Sequence, residues 1–268
     1  MIDKSDKLKF KTTPYQYNLL KDNERLIAFY EAISSINGNL LYDLGTGSGI
    51  LSYFAKDNFK KIIAIEKNYT SYQCAKENLK EFDNITVINE DVLSFNFEKK
   101  ADYIICEMLD TGLIDEEQIP VLNNTKSYLN KTNNIIPKGI INILEPVYMY
   151  NPGLIYEDVD DNYVTYDLIG NSEIFNIIYF KDELKEEVSN EIMFNIFKNS
   201  KFNALKFTTI TIINDDIICG PTPMLNPPLF IPLSTEMNVV KNSKVSINLS
   251  YTMGGGLNTI KTKIKGIY

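Results

Sequence analysis

The chain has 268 residues, long enough for one large domain or two modest ones that each bury a core. Its net charge of -8 argues against a broad basic surface that grips a phosphate backbone. There is no histidine, and the three cysteines, Cys74, Cys106 and Cys219, show no C-x-x-C spacing; this argues against a zinc site or a disulfide framework and predicts three reduced thiols. Residues 1–12 lack the apolar core of a signal peptide, and no apolar run of about 18 residues occurs, so a cytoplasmic protein with no membrane partner is predicted.

From Tyr15 to Ser34, Leu19, Leu26, Ile27, Tyr30 and Ile33 recur at helical spacing with Asp22, Glu24 and Glu31 between them, which predicts one amphipathic helix or a pair. Arg25 is the only arginine in a chain that otherwise uses lysine, so a planar, bidentate fork for a carboxylate is expected there. Leu40 to Leu44 then reads as an apolar strand running into Gly45-Thr46-Gly47-Ser48-Gly49 and a helix, a cradle for a nucleotide-like cofactor. The third glycine comes one residue earlier than in G-x-G-x-x-G, which argues against a dinucleotide. Asp43 at the strand tip suits a ligand carrying an ammonium or sulfonium group and would repel a pyrophosphate.

Lys61 to Ile65 is predicted as a second strand closed by Glu66, about 20 residues past the glycines, where a carboxylate accepts from both ribose hydroxyls. A helix follows with Tyr72, Ala75, Leu79 and Phe82 on one stripe, then a third strand over Ile85 to Ile88. Asp91 and Val92 come next, a carboxylate for an adenine amino group and a backbone N–H for a ring nitrogen. Ala101 to Cys106 is the fourth strand. At its carboxyl end, where open α/β sheets place reacting groups, stands Glu107, with Glu116 at the far end of the loop. Two close carboxylates raise each other's pKa unless a cation lies between them, so the pair makes most sense with a positive acceptor.

The D-x-G-x-G-x-G run from Asp43 resembles motif I of the class I S-adenosylmethionine-dependent methyltransferases. Over Leu19 to Pro137 the chain resembles the protein arginine methyltransferases. Leu19-Leu20-x-Asp22-x-x-Arg25 is similar to their N-terminal helix motif, whose arginine grips the cofactor carboxylate. Glu66 is similar to their ribose-binding acid, Glu107 and Glu116 to their double-glutamate loop, and Leu129 to Pro137 to the segment that enters their C-terminal barrel. The resemblance implies S-adenosyl-L-methionine bound by Arg25, Asp43, Gly45, Thr46, Gly47, Glu66, Asp91 and Val92, with Glu107 and Glu116 as catalytic residues holding a guanidinium or amine on a protein or peptide. A homodimer is a further implication. Met108 and Thr111 stand where that family carries tryptophan and tyrosine, Asp91 precedes Val92 where the family's adenine-binding acid follows, and without histidine its Thr-His-Trp loop is lacking.

Beyond Pro137 the period changes to two. Phe207 to Ile212, Val245 to Tyr251 and Ile260 to Ile264 alternate, which predicts a barrel or sandwich; only Glu183 to Phe197 reads as helical. Pro221 to Pro232 reads as a proline-dense connection and Gly254 to Gly256 as a flexible turn. Asn226-Pro227-Pro228-Leu229 resembles the Asn-Pro-Pro-aromatic signature of nucleic-acid amino-methyltransferases, but it does not follow the fourth strand and Leu229 is not aromatic, so it reads as a loop. The expected architecture is an α/β, Rossmann-like methyltransferase domain over 1–145 followed by a β-rich, barrel-like substrate domain over 146–268. The expected activity is methylation of a cationic protein nitrogen. An RNA methyltransferase and a non-catalytic cofactor-binding partner subunit remain as alternatives.

Overall fold

A computed structural model describes residues 10–157 and 164–268. The amino-terminal stretch is a pair of helices. In α1 (Pro14–Lys21), Thr13 and Gln16 form a reciprocal capping box, and α2 (Asn23–Ser34) starts at Asp22, whose side chain caps the Arg25 N–H at 3.1 Å. Extended backbone at Asp22 breaks the run into two. Leu26 and Ile33 face the core as expected, with Phe29 beside them, whereas Ile27 is exposed, because it lies off the stripe set by its neighbours.

The first half is then a doubly wound unit: β1 (Gly38–Leu44), α3 (Ile50–Ala55), β2 (Phe59–Ile65), α4 (Tyr69–Leu79), β3 (Ile85–Ile88), β4 (Tyr103–Cys106), α5 (Gln118–Thr125) and β5 (Ile135–Ile136). The strands lie in the order β3-β2-β1-β4-β5, all parallel. The order reverses between β1 and β4, so the carboxyl ends of those two strands flank the crevice where open α/β sheets bind ligands.

The second half contains β6 (Gly139–Met149), β7 (Ile155–Tyr156), β8 (Tyr166–Leu168), β9 (Glu173–Tyr179), β10 (Glu187–Asn195), β11 (Ser200–Ile212), β12 (Ile218–Cys219), β13 (Leu229–Val239), β14 (Lys244–Thr252) and β15 (Lys261–Ile267). They pair antiparallel in two sheets, one centred on β13-β11-β6 and one of order β10-β14-β15. The change from parallel to antiparallel pairing lies between Ile136 and Gly139, ahead of the boundary expected at 145. The expected helix over Glu183 to Phe197 is instead β10, paired with β14 from Glu187↔Thr252 to Asn195↔Lys244. Leu184, Val188 and Ile192 imitate a helical stripe, but Val188, Ile192 and Phe194 are also the inward positions of a strand, and the neighbouring ladder selects that reading. The proline-dense stretch from Pro221 is a connection only up to Pro228, where β13 begins.

One core cluster runs through both halves, from Leu40, Tyr42 and Ile104 under the parallel sheet to Phe207, Leu229 and Tyr251 in the β-rich half. The two units share their interior. No helix among the described residues is long and apolar enough to cross a membrane.

Candidate active site

The glycine turn after β1 provides shape more than donors. Gly45, Gly47 and Gly49 all have positive φ, the region that L side chains avoid. A Cβ on Gly49 would lie 2.6 Å from Leu79 Cδ1, so the early third glycine is what lets α3 start hard against α4. The turn's N–H groups are spent within the protein: Gly45 and Thr46 donate to the Ile65 carbonyl at 2.9 and 3.0 Å, and Gly47 donates to Glu66 Oε2 at 2.9 Å. These groups are satisfied by β2 and its closing acid.

Asp43 is also turned inward. Its Oδ2 accepts from Thr46 Oγ1 and Ser52 Oγ, both at 2.6 Å, and the residue is buried and outside the cavity lining. Burial raises its pKa to about 6 against those two donors. It shapes the turn from beneath and does not reach the ligand side, contrary to the reading that placed it against a sulfonium.

The other predicted residues converge. A cavity of about 380 Å³ is lined by Arg25, Gly45, Thr46, Gly47, Glu66, Asp91, Val92, Glu107 and Glu116. They come from α2 and from the carboxyl ends of β1, β2, β3 and β4, at the point where the strand order reverses. Glu66 accepts from the Gly47 and Asn68 N–H groups at 2.9 and 2.7 Å, which locks its rotamer and leaves lone pairs for two hydroxyls. Asp91 accepts from the Leu93 N–H at 2.9 Å.

Arg25 and Glu107, expected to serve different ligands, are joined to each other: Arg25 Nη2 donates to Glu107 Oε2. Burial pushes the Glu107 pKa up, and Arg25 pulls it down only in part. Arg25 Nε and Nη1 are buried without a hydrogen-bond partner. An unpaired buried guanidinium donor is costly, and a ligand carboxylate is the group that satisfies it. The residues thus fit the expected cofactor: donors for a carboxylate at Arg25, and acceptors for a ribose at Glu66 and for an adenine amino group at Asp91. Among the described residues, no three or more His, Cys, Asp or Glu are grouped to hold a metal.

Glu116 lies on the more open side of the cavity. Partial desolvation, then the charges of Glu107 and Asp115, raise its pKa. The loop joining the two glutamates is held by Gln118 and by contacts from the second half of the chain. Gln118 straddles Glu107, accepting from the Met108 N–H at 2.9 Å and donating to the Cys106 carbonyl at 2.7 Å. Thr111 Oγ1 donates to the Pro227 carbonyl at 2.6 Å and the Gly112 N–H to Thr209 Oγ1 at 2.8 Å. Gly254 and Gly256 donate to the Leu113 and Ile114 carbonyls at 2.9 and 2.8 Å, so the glycine run is a clamp more than a flexible turn. The Asn226-Pro227-Pro228 segment is a loop, as expected, and its neighbour Met224 lines the cavity. A buried glutamine on the next helix was the one sequence signal available for these clamps; the rest come from far along the chain.

A family model described as a methyltransferase domain matches residues 41–132. A protein of Methanothermobacter thermautotrophicus is 44% identical over 257 residues, spanning 96% of this chain and 100% of its own length. A probable histone-arginine methyltransferase of Arabidopsis thaliana is 34% identical over 113 residues, 39% of this chain and 21% of that protein. Among solved structures, a chain of the Trypanosoma brucei PRMT1 enzyme-prozyme heterotetrameric complex with AdoHcy is similar with a TM-score of 0.75 over 94% of this chain and 96% of that one, at 16% identity.

Proposed function

We propose that the chain, a class I S-adenosylmethionine-dependent methyltransferase that shares one family with its Methanothermobacter relative, methylates a cationic nitrogen on a protein or peptide. The observation that carries this reading is the meeting of the cofactor-side groups with Glu107 and Glu116 in one cavity. Likeness of fold to the arginine methyltransferases supports it; the acceptor rests on the two carboxylates.

When bound, S-adenosylmethionine supplies a methyl group made electrophilic by its sulfonium. Arg25 would pair with the cofactor's carboxylate through an N–H that the protein leaves unpartnered, on Nε or Nη1, Glu66 would hold the ribose, and Asp91 with Val92 the adenine. Glu107, anchored by Arg25 and by Gln118 on both sides of its backbone, is the fixed wall of the acceptor site. Glu116 faces it from the loop's far end. Together they would hold a guanidinium or ammonium group in place, and such positioning supplies most of the rate in a direct transfer. The nitrogen sheds a proton as it gains the methyl. Glu116 is the better placed base for that proton, since Glu107 is already paired with Arg25.

The test is incubation of the purified protein with methyl-labelled S-adenosylmethionine and cell lysate, divided between protease and ribonuclease. Label lost to protease, and recovered on arginine or lysine after hydrolysis, is the expected result. Label lost to ribonuclease would move the acceptor to RNA. Cofactor binding with no transfer would point to a small-molecule acceptor or a partner-subunit role.

A further inference from the structure

Bringing two carboxylates to one cavity requires a loop whose shape does not depend on their mutual repulsion. Asp110 lies inside that loop with 8% of its surface exposed. Its Oδ2 accepts from the Ile114 and Asp115 N–H groups at 3.2 and 3.0 Å, and its Oδ1 accepts from the Glu116 N–H at 3.3 Å. The Tyr156 hydroxyl, on β7 of the second half, donates to the same Oδ2 at 3.0 Å. Neither Asp110 nor Tyr156 lines the cavity.

We propose that Asp110 and Tyr156 are positioning residues for methyl transfer, a pin that runs from the β-rich half through the loop backbone and sets where Glu116 stands. The inference rests on the acceptor-side role proposed for Glu116. A carboxylate gathering several N–H groups fixes a turn more firmly than neutral acceptors do, because each bond is charge-assisted. The groups that face it are Asp115 and Glu116 on the loop, Tyr156 on β7 and Tyr251 on β14. None is cationic. The N–H dipoles and the phenol oppose the effect of burial, which raises the Asp110 pKa to about 7. Burial and the Asp110 charge raise the Tyr156 pKa, which keeps the phenol a donor. As pH falls through about 7, Asp110 takes up a proton, turns a donor toward groups that need an acceptor, and loosens its hold on the Glu116 backbone.

The test compares the full chain with Asp110→Asn and Tyr156→Phe by three readouts: S-adenosylmethionine affinity by calorimetry, amide-exchange protection over residues 107–117 about one unit below and above pH 7, and turnover of labelled methyl onto the lysate acceptor. Both variants are expected to bind S-adenosylmethionine within about twofold of wild type, because the pin lies outside the cofactor side. Wild-type protection of the loop should fall at the lower pH, and Asp110→Asn should exchange faster at both, with no pH step. A displaced Glu116 should lower kcat roughly a hundredfold in Asp110→Asn. Tyr156→Phe should lower it roughly five- to tenfold, the equivalent of one hydrogen bond. Unchanged loop protection in both variants would overturn the proposal, as would a parallel loss of cofactor affinity, which would make Asp110 a support of the whole fold. If wild type transfers no label, the acceptor reading fails by itself, and the exchange arms still judge the pin.

Discussion

In the proposed reading, Glu66 and Glu107 would divide the cavity's two tasks. Glu66 is fixed by two backbone N–H groups, so Glu66→Ala removes both a ribose acceptor and a brace of the glycine turn. A loss of S-adenosylmethionine affinity of roughly tenfold or more is expected in calorimetry. Glu107→Gln keeps an oxygen for Arg25 while removing the charge that would hold a cationic acceptor. Near-normal cofactor affinity with transfer reduced below detection is expected, and full turnover in this variant would exclude the double-glutamate assignment. Asp43 provides a test of the buried turn. Its folded pKa, about 6, stands above its ordinary 3.8, so the folded state holds the proton more tightly. The stability that this protonation contributes is complete below the lower value and is lost as pH rises to the upper one. Denaturant titrations across that window should show a downward slope in wild type that is shallower in Asp43→Asn.

At the level of elements, the loop from Glu107 to Glu116 is shaped by packing that its local sequence does not announce. Gly112 has φ +72°, and a Cβ there would lie 2.7 Å from the Phe207 ring. Gly112→Ala therefore combines a left-handed backbone with a clash against a buried aromatic side chain, at a cost of roughly 1–3 kcal/mol. A lower thermal midpoint, with transfer more impaired than cofactor binding, is expected. The elements around the loop were legible to different degrees. The parallel strands and the glycine turn carry strong local signals: an apolar run, glycines with positive φ, an acid at the strand end. β10 did not, because an i, i+4, i+8 apolar series fits a helix stripe and alternate positions of a strand equally well. Its partner β14, more than fifty positions further along, made the choice.

Across the whole molecule, the second half closes the site as well as extending the first. Thr222 donates to Asp22, the cap of the helix that carries Arg25, while Pro227 accepts from Thr111 in the glutamate loop. One connection thus ties both walls of the cavity together. The net charge of -8 and the proposed pair of acceptor-side carboxylates would favour basic partners. Transfer to lysine- and arginine-rich peptides is expected to weaken as salt rises, since exposed charges more than about 8 Å apart are screened at physiological ionic strength. A salt-insensitive rate would count against electrostatic recognition of the acceptor.

What the sequence determined by itself is the chemistry that is local in the chain: the cofactor turn, the acids closing the strands, the lone arginine, and the two-part order of a parallel then an antiparallel half. These follow from short-range rules, since strand ends, positive-φ glycines and side-chain periods are set within a few residues. Only the tertiary structure decided which groups face the ligand and which are spent inside. Asp43 went beneath the turn because Thr46 and Ser52 claim it, and Arg25 on α2 met Glu107 just past the end of β4. The glutamate loop took its shape from Asp110, Thr209, Tyr156 and the glycines near residue 254. Contacts between residues far apart in the chain leave no periodic trace in sequence, because each partner reads locally as an ordinary turn or strand residue.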